Sequence, residues 1–180
     1  MWRAAVLVLA LAAPAAGQEA YYPDPPPGYP PVLGDVAATL GRDAVAWQTY
    51  DFSIGAFDAS AWIDTYDGIT FKLIGYTPGD PDAETGRLRV AATYASTPQV
   101  GSKPTALMIE IFDDGLEGPR LSSQGRAAVL EITAIELGSG SGYGSMSGRL
   151  TAELCPRGGK NGACRKFSGT FDTGLQFSGL

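Results

Sequence analysis

Between Phe167 and Phe177 the chain alternates with little interruption. Phe167, Gly169, Phe171, Thr173, Leu175 and Phe177 fall on one side, and Ser168, Thr170, Asp172, Gly174 and Gln176 on the other. A period of two excludes an amphipathic helix here and predicts a half-buried β-strand. A second alternating run precedes it, with Leu150, Ala152 and Leu154 in phase. Between the two runs lie Cys155, eight turn-forming residues (PRGGKNGA) and Cys164, and no other cysteine occurs. If the cysteines face each other as a disulfide, the register of the hairpin follows. Glu153 then faces Lys166, Ala152 faces Phe167 and Leu150 faces Gly169, which puts the apolar residues of both strands on one face.

The rest of the chain repeats this character at lower contrast. Strands are expected over Ala44–Ile54, Ser60–Tyr66, Ile69–Tyr76, Arg87–Ala95 and Thr105–Asp113. Gly55 to Asp58 and Asp67-Gly68 supply turns between the first of these. Thr105–Asp113 is apolar on both sides, so both faces should be covered. Ala127–Leu137 has the alanines and glutamates of a helix. Val129, Ile132, Thr133 and Ile135 favour a strand, and no N-cap precedes it. Gly34 to Gly41 could form a helical turn, and Gly138 to Ser147 reads as a loop. About eight strands at short spacing, with 24 glycines and 13 prolines, describe an all-β domain from residue 35 to 180. The expected architecture is an antiparallel sandwich of jelly-roll type. A membrane barrel would need an apolar outer band, which Lys72, Arg87, Arg89, Glu110 and Glu131 interrupt.

The chain opens MWRAAVLVLALAAPAAG, with a basic residue, a short apolar run and small residues at its end. This is the pattern of a secretory signal peptide over residues 1–17, too short to span a bilayer. Residues 18–34 follow as a flexible linker carrying six prolines, expected to be extended and able to dock on a partner. Export to the periplasm or the extracellular space would oxidise Cys155 and Cys164 to a structural disulfide. No integral membrane segment is expected after the signal peptide.

Histidine is absent and the formal charge is −6. The first fact removes His-dependent nucleophilic catalysis and His-type metal sites. The second leaves out the electrostatic footprint of a nucleic-acid binder. Four weaker features remain. Arg149, Arg157, Lys160, Arg165 and Lys166 form the one basic cluster, with Glu153 alone against it, and could face an anionic glycan or small ligand. Asp80, Asp82 and Glu84 alternate before a glycine and offer oxygens to calcium, the only cofactor considered. Tyr143, set among glycines and serines, is placed to stack on a sugar ring. Glu131 and Glu136 lie in EITAIE, which is similar over six residues to the paired-glutamate strand of laminarinase-type jelly-roll glycosidases. That resemblance implies a retaining mechanism with two nearby carboxylates, although Thr133 stands where the family carries an aspartate.

The expectation is a non-enzymatic binding or structural module, its partner an envelope protein, a glycan or a small ligand. A carboxylate-based glycan hydrolase and a carbohydrate-binding module are the alternatives.

Overall fold

The computed structural model describes residues 30–53, 59–66, 68–115, 117–138 and 142–178. The signal peptide, most of the proline-rich segment, the turn at Gly55–Asp58 and Asp67 lie outside the described residues. Ten strands and no helix are found among them: β1 (Val32–Leu40), β2 (Asp43–Tyr50), β3 (Ala61–Asp64), β4 (Ile69–Gly75), β5 (Leu88–Tyr94), β6 (Ala106–Phe112), β7 (Arg120–Ser122), β8 (Ala128–Leu137), β9 (Gly142–Arg157) and β10 (Arg165–Phe177).

All ten belong to one sheet, in the order β2-β1-β10-β3-β4-β5-β6-β7-β9-β8. Every pairing is antiparallel except the short one between β10 and β3. Because β10 also pairs with β9, the strands from β3 to β7 together with β9 and β10 form a ring. β1 and β2 hang from it on β10, and β8 hangs on β9. Neighbours in the sheet are mostly neighbours in the chain, a meander order that lends the jelly-roll expectation no support.

The C-terminal hairpin has the register deduced from its cysteines. Cys155 and Cys164 are joined by a disulfide, and Glu153 lies opposite Lys166, Ala152 opposite Phe167 and Leu150 opposite Gly169. Phe167, Phe171, Leu175 and Phe177 point into the core with Leu150 and Leu154. The sheet folds back over them, so that the Phe71 ring of β4 stacks on Phe171 at 5.9 Å between centroids. Leu88, Val90, Ile109 and Ile111 complete the buried face of β5 and β6. Trp47 closes the core on the β2 side, its indole N–H donating to the Gly86 carbonyl at 2.6 Å.

Gly34 to Gly41 is not a helical turn. Val36 and Leu40 stand four apart, a spacing that satisfies either period, and the partners decide. β1 pairs with β10 on one edge and β2 on the other, and it begins at Val32, ahead of the boundary suggested by the prolines. Gly41 and Arg42 turn the chain into β2, with Gly41 at φ +67°. β1 and β7 are strands beyond those expected, and β9 is longer than its alternating run. β7 has only three residues after Pro119, and β9 runs back to Gly142 through what reads as a Gly/Ser loop.

The strand at Thr105–Asp113 is covered on both faces, as its two apolar sides require. Ile109 and Ile111 face the core. On the opposite side Glu110 and Phe112 are also buried, beneath two arginines. Arg89 Nε donates to Glu110 Oε2 at 2.9 Å, and Arg120 Nε donates to Oε1 at 2.9 Å. Both guanidinium groups lie over the Phe112 ring, 4.9 and 5.6 Å from its centroid. Taking a carboxylate this far from water costs free energy that such partners offset.

Candidate functional site: a groove along the free edge of strand β8

The basic cluster of the sequence is not a cluster in space. Alternation sends Arg149 to the outer face of β9, where it meets Glu131 at 3.5 Å. Arg157 donates to the Gln124 carbonyl at 3.1 Å. Lys160 pairs with Asp113, and Arg165 with Asp43 and the Leu40 carbonyl. Lys166 is exposed across from Glu153. Each of the four partnered cations is drawn to a group distant in sequence, so no common anion pocket results.

Asp80, Asp82 and Glu84 sit in two successive turns, held by Asp80 N–H to Thr77 O and Ala83 N–H to Asp80 O. Among the described residues no three or more acidic, cysteine or histidine side chains gather as a metal site would require. Tyr143 is half-exposed, but within β9 rather than in a loop. Its hydroxyl accepts from Gln176 Nε2 at 3.0 Å and meets Ser53 Oγ at 2.9 Å. The ring is thus tied to the end of the sheet where Gln176 also accepts from the Ala59 amide at 2.8 Å.

Glu131 and Glu136 are both exposed on β8. Their odd spacing would place them on opposite faces of a regular strand, and a bulge between Ile132 and Ala134 returns them to one side. They nevertheless line different clefts. Glu136 borders a shallow one with Tyr143 and Ser145, and Glu131 borders a larger groove beside the loop at Gly101–Thr105. The two carboxylates do not face one bound sugar ring.

That larger groove is the feature the sequence did not announce. Its volume is about 680 Å³, and its walls are Gly101–Leu107 on one side and Ala128–Glu131 on the other, with Arg126 at one end. Consecutive residues line both walls, whether their side chains point inward or outward. A cleft against the face of a sheet would touch alternate residues only, so this groove follows backbone edges. β8 is the last strand of the sheet, and Gly101 N–H reaches across to its outer edge at Ile132 O, 3.4 Å away. The apolar floor comes from Leu107, Ala128 and Leu130, all packed on or in the core. Lys103, Arg126 and Glu131 stand at the rim. Arg126 is 3.8 Å from Glu153, and Glu131 is held by Arg149.

A separate buried group is Tyr94 on β5, whose hydroxyl has no hydrogen-bond partner among the described residues. Burial pushes its phenol up to about 12.

No family model matches the chain, and neither the curated proteins nor the solved structures include a match to it. Among the described residues no helix is long and apolar enough to cross a membrane.

Proposed function

We propose that the protein is an exported, non-enzymatic all-β module that binds its ligand in the groove along β8. The groove carries this reading. It combines an apolar floor continuous with the core, a polar rim and a volume within the usual range for ligand sites. Export is supported by the leader sequence and by the Cys155–Cys164 bridge, which suits an oxidising compartment. The ring that β3 to β7 close with β9 and β10 supports a barrel-like body in place of the expected two-sheet sandwich. The proline-rich segment serves as a leader of this module, able to dock on a partner.

The test is an amide chemical-shift titration of the purified chain with an amphiphile, a set of neutral and acidic oligosaccharides and a peptide panel. Shifts centred on residues 101–107 and 126–131 support the reading. A ligand that binds and moves only residues elsewhere, or turnover of any glycan in the panel, refutes it.

A further inference from the structure

The geometry points to an extended acidic peptide as the occupant of this groove, added as a further strand along the free edge of β8. This rests on the groove being the binding site, and it names the class of ligand.

The ladder between β8 and β9 fixes which backbone groups face outward. Glu153 N–H donates to Ala127 O, so Ala127, Val129 and Glu131 direct their amides and carbonyls at β9. Ala128 and Leu130, in the alternate phase, direct theirs into the groove. Ile132 is in the same phase, and its carbonyl is the one that Gly101 reaches. On the other wall, Phe112 N–H donates to Arg87 O on the β5 side, while Ile109 exchanges bonds with Ser123 on the opposite side. Leu107 shares the phase of Ile109, so its backbone also faces the groove. Among the described residues β8 is paired only with β9, and the pairing of β6 with β7 stops at Glu110, so the outward groups of Ala128, Leu130 and Leu107 face no paired strand. Backbone donors and acceptors beside an apolar floor are an incentive to add a strand.

Three comparisons favour a peptide over other ligands. No aromatic ring lines the groove, so the stacking platform a sugar would use is missing. A purely apolar ligand would cover the edge amides without bonding them, which costs free energy. The stretch from Ala128 to Leu130 is also open: it holds no charged residue and no proline, and the bulge that would twist an edge away lies beyond it, between Ile132 and Ala134. At the other end of the sheet, by contrast, β2 is partly covered by Tyr76, which exchanges two backbone bonds with Gln48. The rim then selects charge. Lys103 is in no ion pair among the described residues, and Arg126 makes only its long, exposed contact with Glu153. Glu131, the one acid on the groove, makes an exposed contact of the same kind with Arg149. The groove lining therefore carries two cations against one carboxylate in a chain of net charge −6, which favours acidic side chains on the incoming strand.

The experiment titrates isotope-labelled protein with an eight-residue peptide alternating valine and threonine, flanked by glutamates. A lysine-flanked peptide, an alternately N-methylated version of the first and dodecanoate serve as controls. The acidic peptide should slow hydrogen exchange at the Ala128 and Leu130 amides. It should bind about tenfold more tightly than either peptide control, the order expected from surface charge pairs and lost ladder bonds. The double variant Lys103→Glu/Arg126→Glu should invert the preference between glutamate and lysine flanks. If dodecanoate moves the groove resonances and no peptide does, strand addition is wrong while the groove remains a ligand site. If no probe moves them, both readings fall. Protection of Ala128 and Leu130 in the free protein overturns the proposal: dependence on protein concentration would assign the edge to a second copy, and independence would assign it to this chain.

Discussion

Replacing Glu110 by glutamine should destabilise the fold by about 3 kcal/mol, the low end of the range for breaking a buried ion pair from one side. Glu110 is 1 % exposed, and both its oxygens accept from arginines. The amide removes the negative charge and turns an NH₂ group toward a guanidinium that can only donate. Hydrogen bonds to charged groups contribute roughly 1.5–3 kcal/mol each, and two arginines are affected. Against this, Arg89 and Arg120 keep 34 % and 26 % of their side chains in water, so they partly rehydrate, and the full sum is not reached. The loss corresponds to a drop in Tm of about 6–12 °C for a domain of this size. Urea unfolding followed by tryptophan fluorescence measures it, since Trp47 is buried. A companion variant, Arg89→Met/Glu110→Leu/Arg120→Met, removes all three charges and should recover most of the loss, because desolvation offsets much of a buried triad's attraction. A change below about 0.5 kcal/mol for Glu110→Gln, the scale of ordinary surface substitutions, would refute the electrostatic account. So would a triple variant as unstable as the single one.

Tyr94→Phe should stabilise the protein by up to about 1–2 kcal/mol at neutral pH, since it removes a buried hydroxyl with no partner. Above pH 10 the unfolded chain releases the phenolic proton that the folded chain keeps up to about 12. The wild type should therefore lose about 2–3 kcal/mol relative to Tyr94→Phe between these values, measured by parallel urea titrations; equal pH profiles would contradict the burial of this group. Reduction of Cys155–Cys164, or the Cys155→Ala/Cys164→Ala variant, should cost about 2–3 kcal/mol by freeing a ten-residue ring in the unfolded chain. Gly148→Ala should cost about 1–3 kcal/mol, because a Cβ there would lie 2.6 Å from both the Glu131 carbonyl oxygen and the Phe171 ring. Thermal denaturation decides that last case, and an unchanged Tm would show that the sheet gives way easily.

The parts of the fold that sequence reveals are those where two independent signals agree. In the C-terminal hairpin the aromatic alternation and the cysteine spacing select one register, and it is the one adopted. In β8 the β-branched residues outweigh the alanines and glutamates because β9 supplies a full-length partner. β1 carries no such agreement: its valine and leucine suit a helix or a strand, and a partner at the far end of the chain makes the choice. The site was harder for a related reason. Arg149, Lys160 and Arg165 are close in sequence but separated by strand alternation, and their acids come from β8, the end of β6 and β2. The Arg89–Glu110–Arg120 group did leave a trace, a lone acid between Ile109 and Ile111 in an apolar strand. The groove left none, since it is made by backbone groups whose directions depend on pairing.

β10, like β9, pairs with three other strands, and its partners come from both ends of the sequence. It holds β9 along one side and β1 and β3 along the other, including contacts such as Gly34 to Thr173. Until β10 is in place the N-terminal hairpin has nothing to settle on, because β1 lies between β2 and β10. Assembly of this protein thus has long-range loop closure to overcome, and it should be slow for its size. Premature termination before Arg165 would leave three strands without their common partner.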